Sequence, residues 1–334
     1  MSAAERRAPS AYRLTTAILR SVSRSFYLSI RMLPAQLREP VALGYLLART
    51  TDTVADTSGI DRNVRIDTLQ KLAAAVQGGA PREAIVDLAA AFVPRQQNAA
   101  ERMLVEALPE TLQRLDQVAA ADRADIREVL TKINRGQMLD LERFAGGQLR
   151  ALATAAELDE YTYLVAGSVG EFWTRLCFRH VRNFTHRDQT EMLALAKRYG
   201  MGLQLINVLR DAGADLRAGR CYFPEEQLGS RGMSPADILR DPPRFEPIYR
   251  TWIDKAEAGV AAGMEYSAAI RSRRVRAATL LPALIGHRTL ALLRDAGATA
   301  LERTIKVSRA EVRRMTLRAF CSRRAQRDGI RAGR

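Results

Sequence analysis

The stretch YLLARTTDTVAD (residues 45–56) sets two aspartates, Asp52 and Asp56, four positions apart among leucine, alanine and valine. A second stretch, QLINVLRDAGAD (residues 204–215), repeats that spacing with Asp211 and Asp215, 159 positions after the first pair. Carboxylates four apart lie one turn apart on an α-helix, so each pair predicts one oxygen-rich patch. At about 100° per residue, Tyr45, Arg49, Asp52 and Asp56 fall within an arc of roughly 60°. Gln204, Asn207, Asp211 and Asp215 fall within roughly 80° by the same rule, with Arg210 off to one side. The residues between them are apolar, which predicts helices buried on several sides. Polar groups on a buried helix are costly unless each finds a partner. Mg²⁺ with bound phosphate supplies such partners. Two patches facing each other would hold Mg²⁺ ions between them, a device for gripping and ionising diphosphates.

The rest of the chain is consistent with a helical protein. Its 334 residues suffice for a large core; aromatics make up only 6%, and β-branched runs are short. Helical patterns are expected near 13–21, 39–56, 64–77, 82–93, 98–119, 122–145, 188–215, 248–271, 273–295 and 308–323. A further helix opens at the capping box Thr154-Ala155-Ala156-Glu157 and carries Tyr161. Residues 57–63 read as a loop beside the first acidic pair, placed to act as a mobile cover. The longest irregular stretch is expected from Gly219 to Pro247. No strand pattern longer than four residues emerges. The expected architecture is all-α, a single-domain helical bundle with a central cavity over 13–323, preceded by a flexible N-terminus (1–12) and followed by a basic flexible tail (324–334).

Charge narrows the partners. The net charge is +15, densest toward the C-terminus in Arg303, Lys306, Arg309, Arg313, Arg314, Arg318, Arg323, Arg324 and Arg327. No aromatics interleave with these residues and no nucleic-acid motif is present, so nucleic acid is not an expected partner. Peripheral contact with an anionic membrane fits better. Three scattered cysteines suggest neither disulfides nor zinc, and a cytoplasmic location, free or peripheral at the inner membrane face, is expected. No run of about 18 apolar residues exists, so no transmembrane helix is expected.

The blocks SVSRSFYLSIRMLP (21–34), YLLARTTDTVADT (45–57), LDEYTYLVAGSVG (158–170), LQLINVLRDAGADLRAGRCYFP (203–224) and IKVSRAEV (305–312) resemble, in that order, those of the squalene and phytoene synthase family. The resemblance implies the isoprenoid-synthase fold and head-to-head prenyl transfer from farnesyl diphosphate. It implies Mg²⁺ held by Asp52, Asp56, Asn207, Asp211 and Asp215. Ser23, Arg24, Arg49, Gln204, Asn207, Arg210 and Arg220 would contact diphosphate. Tyr45 would sit near the leaving diphosphate, and Tyr161 would handle the cation or its proton. Phe26, Val165 and Val169 would line an apolar tunnel. Arg303, Lys306 and Arg309 resemble the basic stretch beside NADPH in squalene synthases. The first acidic block looks closer to squalene synthases than to phytoene synthases. Dehydrosqualene, presqualene diphosphate and phytoene synthases remain open alternatives. A non-catalytic helical assembly protein on the same fold is the rival from a different class; it predicts eroded acidic pairs, whereas all four aspartates are present.

Overall fold

A computed structural model describes residues 17–321, apart from 23–26, 28–29, 32, 58 and 147. Ser23, Arg24, Phe26 and the two expected terminal segments therefore lie outside the described residues. What is described divides into two compact units between Glu142 and Arg143.

The first unit is built on α1 (Ala35–Asp56). The expected start near 39 moves to Ala35, because Pro34 takes the N-cap position and Pro40 is accommodated inside the helix. Helix α2 (Arg62–Val76) also begins earlier than expected: the Asp61 carboxylate accepts from Asn63 N at 2.8 Å and captures the first turn. Helix α3 spans Arg82–Phe92. The expected helix over 98–119 is instead two, α4 (Ala99–Glu106) and α5 (Leu108–Gln117). Pro109 has no N–H to give the preceding turn, so it opens a new helix rather than extending the old one. Helix α6 (Ala120–Arg143) closes this unit. Val54, Ala55, Leu69, Ala89, Phe92 and Val105 form a core here, with Met138 and Leu141 of α6 packed against it. The end of α1 is tied down on two sides. Arg65 Nη1 donates to Ala55 O at 2.6 Å, and Gln96 Nε2 donates to Thr57 Oγ1 at 2.9 Å.

The second unit carries two-residue strands β1 (Arg150–Ala151) and β2 (Arg220–Cys221), paired in parallel with Arg150 opposite Arg220. Thr154 caps α7 (Ala155–Thr162), while Glu157 reaches back to Ala153 N at 2.7 Å. A π turn (Tyr163–Gly167) leads into α8 (Ser168–His180). Helix α9 (Gln189–Arg217), capped by Asp188, is the central element. Short helices α10 (Glu225–Gly229) and α11 (Asp237–Arg240) follow, then α12 (Pro242–Ala269), α13 (Arg273–Ala296) and α14 (Arg309–Cys321). Helix α12 starts six residues before the expected 248: the Asp241 side chain accepts from Arg244 N, and Pro242 and Pro243 suit a first turn. Helices α9 and α12 approach until a Cβ on Gly202 would lie 2.7 Å from Gly259 Cα. That contact, and the core of Leu205, Leu209, Tyr249, Trp252 and Ile253, fixes the rotation of α9.

Candidate active site

In the first unit, α1 is buried almost all round: Leu43, Leu46, Leu47, Thr50, Thr51, Thr53 and Val54 are each at most 3% exposed. The buried threonine hydroxyls of Thr50 and Thr51 donate to Leu46 O and Ala48 O of the same helix. Between these positions runs a stripe of partly open or exposed side chains, namely Tyr45, Arg49, Asp52 and Asp56. This is the polar face that the 3.6-residue period predicts. Arg49 Nη2 meets Glu101 Oε1 of α4 at 2.7 Å. Gln137 Nε2 of α6 donates to Asp52 Oδ1. The Asp52 carboxyl is pushed up to about 7, first by burial and then by the charge of Asp56 one turn away; Arg49 and the Gln137 hydrogen bond oppose the shift.

In the second unit, α9 shows the same design. Leu205, Ile206, Val208, Leu209, Ala212 and Leu216 are buried. Gln204, Asn207, Asp211 and Asp215 lie on the more open side, with Asn207 Nδ2 donating to Gln204 Oε1 at 3.2 Å. Arg210 grips its neighbour Asp211 with two hydrogen bonds, Nε to Oδ1 at 2.9 Å and Nη2 to Oδ2 at 2.5 Å. After α9, Gly219 adopts φ +86°, which a side chain disfavours. The turn sends the chain into β2, where Arg220 Nη2 returns to Asp215 Oδ1 at 2.6 Å. Each carboxylate of this pair thus carries an arginine from the same unit.

The aromatic neighbourhood of Tyr161 is also set by β2. Tyr161 stacks on Tyr222 at 5.2 Å between centroids, and Phe144 meets Tyr222 edge-on at 5.1 Å. Val165 lies half-buried in the π turn, and Val169 is 38% exposed on α8. Arg303, Lys306 and Arg309 are exposed at the extended segment preceding α14 and at its first residue, with the segment anchored by buried Ile305.

These donor sets fit the groups the resemblance implies. Asp52 is a half-buried carboxyl forced beside a second carboxylate, an arrangement that a divalent cation relieves. No cluster of three or more His, Cys, Asp or Glu suited to a metal occurs among the described residues. Two carboxylates per patch suit Mg²⁺, which takes one or two carboxylates and completes its shell with water and substrate phosphate. Three exposed cations at 303–309 suit the phosphates of a dinucleotide.

Sequence reasoning missed several of these residues or gave them no role. Glu101, Tyr222 and Phe144 reach the site residues only through the fold. Gln137 lies in the block RGQMLD (135–140), yet nothing in that block shows that it meets Asp52.

Comparison with known proteins gives the family and the fold. The sequence model of the squalene/phytoene synthase family matches residues 19–316. The squalene synthase of Saccharomyces cerevisiae is 26% identical over 280 residues, covering 83% of this chain and 60% of that protein. The phytoene synthase of Rhodobacter capsulatus is 28% identical over 236 residues, covering 70% of this chain and 58% of that one. The chain thus spans about 60% of the length of these relatives. Among solved structures, a ligand complex of TcSQS superposes with TM-score 0.74 at 22% identity, covering 93% of this chain and 86% of that one. A dehydrosqualene synthase complex gives 0.63 at 22% identity, covering 92% and 95%. The squalene synthase HpnC of Alicyclobacillus acidocaldarius gives 0.62 at 19% identity, covering 88% and 98%. The all-α architecture is the isoprenoid-synthase fold of these enzymes. With its sequence matched across residues 19–316, the chain belongs to the squalene/phytoene synthase family.

Proposed function

We propose that the chain condenses two molecules of farnesyl diphosphate head to head, through presqualene diphosphate, to squalene. The observation that carries the reading is the pair of acidic stripes on α1 and α9, each on the more open side of a helix whose other side is packed into the core. A scaffold protein has no reason to keep Asp52 where it stands, because a carboxyl buried beside Asp56 costs folding energy unless a cation is bound there.

Asp52 and Asp56 on one patch, and Asn207, Asp211 and Asp215 on the other, are the residues that would hold Mg²⁺. Bound there, the ion neutralises charge building on the departing diphosphate. Arg49, Arg210 and Arg220 are already committed to Glu101, Asp211 and Asp215. They turn to the diphosphate oxygens when substrate arrives, since guanidinium matches phosphate in a bidentate fashion. Ser23, Arg24 and Gln204 complete the diphosphate contacts in this reading, and Tyr45 stands by the leaving group. In the first half-reaction the C1–O bond of one farnesyl diphosphate breaks. The double bond of the second substrate attacks C1, and loss of a proton closes the cyclopropane. Tyr161, backed by the buried ring of Tyr222, offers a π face to cationic intermediates. Phe26, Val165 and Val169 supply apolar surface for the prenyl tails. In the second half-reaction the cyclopropylcarbinyl diphosphate ionises and rearranges, leaving a cation to be reduced. Arg303, Lys306 and Arg309 would hold NADPH, which supplies the hydride.

The reduction is what separates this reading from an unreduced product. Relatives of both kinds match at similar identity, 26% for a squalene synthase and 28% for a phytoene synthase. The test is incubation with farnesyl or geranylgeranyl diphosphate and Mg²⁺, with and without NADPH. The reading expects squalene with farnesyl diphosphate and NADPH, and presqualene diphosphate when NADPH is omitted. Dehydrosqualene regardless of NADPH moves the assignment to an unreduced C30 synthase. A C40 product from the C20 substrate alone moves it to a phytoene synthase.

A further inference from the structure

Gln137 has no part in the chemistry described so far, yet it holds a fixed place against Asp52. Its amide Nε2 donates to Asp52 Oδ1 across 85 positions of sequence. Packing of α6 sets where that amide points. Met138 and Leu141, the flanking apolar residues, pack against the cluster that contains Val54 and Ala55 of α1. One turn earlier, buried Asn134 Nδ2 donates to Leu69 O of α2 at 2.9 Å. The rotation of α6 is therefore determined by contacts on both sides of Gln137.

The chemistry of the amide matters as much as its position. A lysine or arginine here would neutralise Asp52 and compete with a dication for it. A neutral amide donor orients the carboxylate and leaves its negative charge intact. It occupies one of about four lone-pair sites on the carboxylate and leaves the others open. Arg49, the cation nearest in sequence on the same face, is engaged with Glu101. The geometry points to Gln137 as the positioning residue that orients Asp52 for a divalent cation. This assignment rests on the proposed reading that Asp52 is a metal ligand. Partners that orient a ligand typically account for about 10- to 100-fold in metal affinity.

The test uses the full chain stripped of metal, titrated with Mn²⁺ in the presence of inorganic diphosphate, with free Mn²⁺ followed by electron paramagnetic resonance. Gln137→Met keeps the length of the side chain and removes the donor; Gln137→Asn keeps the amide and withdraws it by one methylene. Both should weaken one class of Mn²⁺ sites about tenfold or more. Loss of the hydrogen bond lowers the metal-free unfolding midpoint in either case, so the affinity decides: a purely structural role would leave it alone. Asp52→Asn should weaken the same sites, and adding Gln137→Met to it should cost little more, because the two residues act as a unit. Native Mn²⁺ affinity in both Gln137 variants, with affinity lost in Asp52→Asn, overturns the role of Gln137 and leaves the acidic patch standing. Native affinity in Asp52→Asn overturns the reading of the patch, and the role of Gln137 with it.

Discussion

Asp52 shows how one residue couples folding to chemistry. Its carboxyl is pushed up to about 7 by burial and by Asp56, so the folded chain holds this proton more tightly than the unfolded chain does. An unfolded aspartate titrates near 3.9. From about pH 4 to about 7 the metal-free fold therefore loses stability as pH rises, by on the order of a few kcal/mol in all. Asp52→Asn removes the titrating group. In chelator, this variant should unfold at a higher temperature than the native chain near pH 8, and the gap should close toward pH 4. Thermal unfolding across that range measures it; a gap that widens on acidification contradicts the account. If Asp52 holds Mg²⁺ as proposed, the same proton competes with the ion, and apparent Mg²⁺ affinity should fall as pH drops below about 7. The aspartates themselves were legible from their spacing. The hydrogen bond from Gln137 and the ion pair of Arg49 with Glu101 were not, because each joins residues at least 52 positions apart.

The elements that carry the site depend on close backbone contacts and caps. Gly213 lies between Asp211 and Asp215 on α9, and a Cβ there would fall 1.8 Å from Leu301 O. Gly213→Ala must therefore displace α9 or the segment around Leu301. It should destabilise the chain by about 1–3 kcal/mol and lower turnover as the acidic pair shifts. Thermal unfolding and steady-state kinetics on the same variant check both effects. Thr154→Ala removes the cap of α7, the helix that carries Tyr161, and should cost about 1 kcal/mol in chemical denaturation. Helix identities were legible from period and caps, and Thr154-Ala155-Ala156-Glu157 opens a helix as expected. Boundaries moved where proline acts in two ways: Pro109 splits a helix, whereas Pro40 and Pro247 sit inside one. Sequence pattern does not distinguish these cases, because packing around the proline decides whether the lost hydrogen bond is tolerated. The π turn after Tyr161 likewise has no sequence signature, and neither does the pairing of β1 with β2 that brings Tyr222 onto Tyr161.

At the scale of the whole molecule, charge and hydropathy patterning bear on where such chemistry can take place. Among the described residues no helix is long and apolar enough to cross a membrane. Arg309, Arg313, Arg314 and Arg318 are all exposed on α14, in a chain of net charge +15. Contact with anionic lipid follows as an expectation: the chain should sediment with phosphatidylglycerol vesicles at low salt and release as salt rises. Equal binding to neutral vesicles would contradict it. The family was legible from five ordered blocks, whereas product identity was not, since it depends on the shape around the cation rather than on the acidic pairs. The central claim is that both acidic stripes serve one ionisation chemistry. Its most direct test is diphosphate release from farnesyl diphosphate and Mg²⁺ by Asp52→Asn and, separately, Asp211→Asn. The account predicts that each variant keeps its helical circular dichroism and loses about 10²- to 10³-fold in turnover. Near-native turnover in either variant would contradict it.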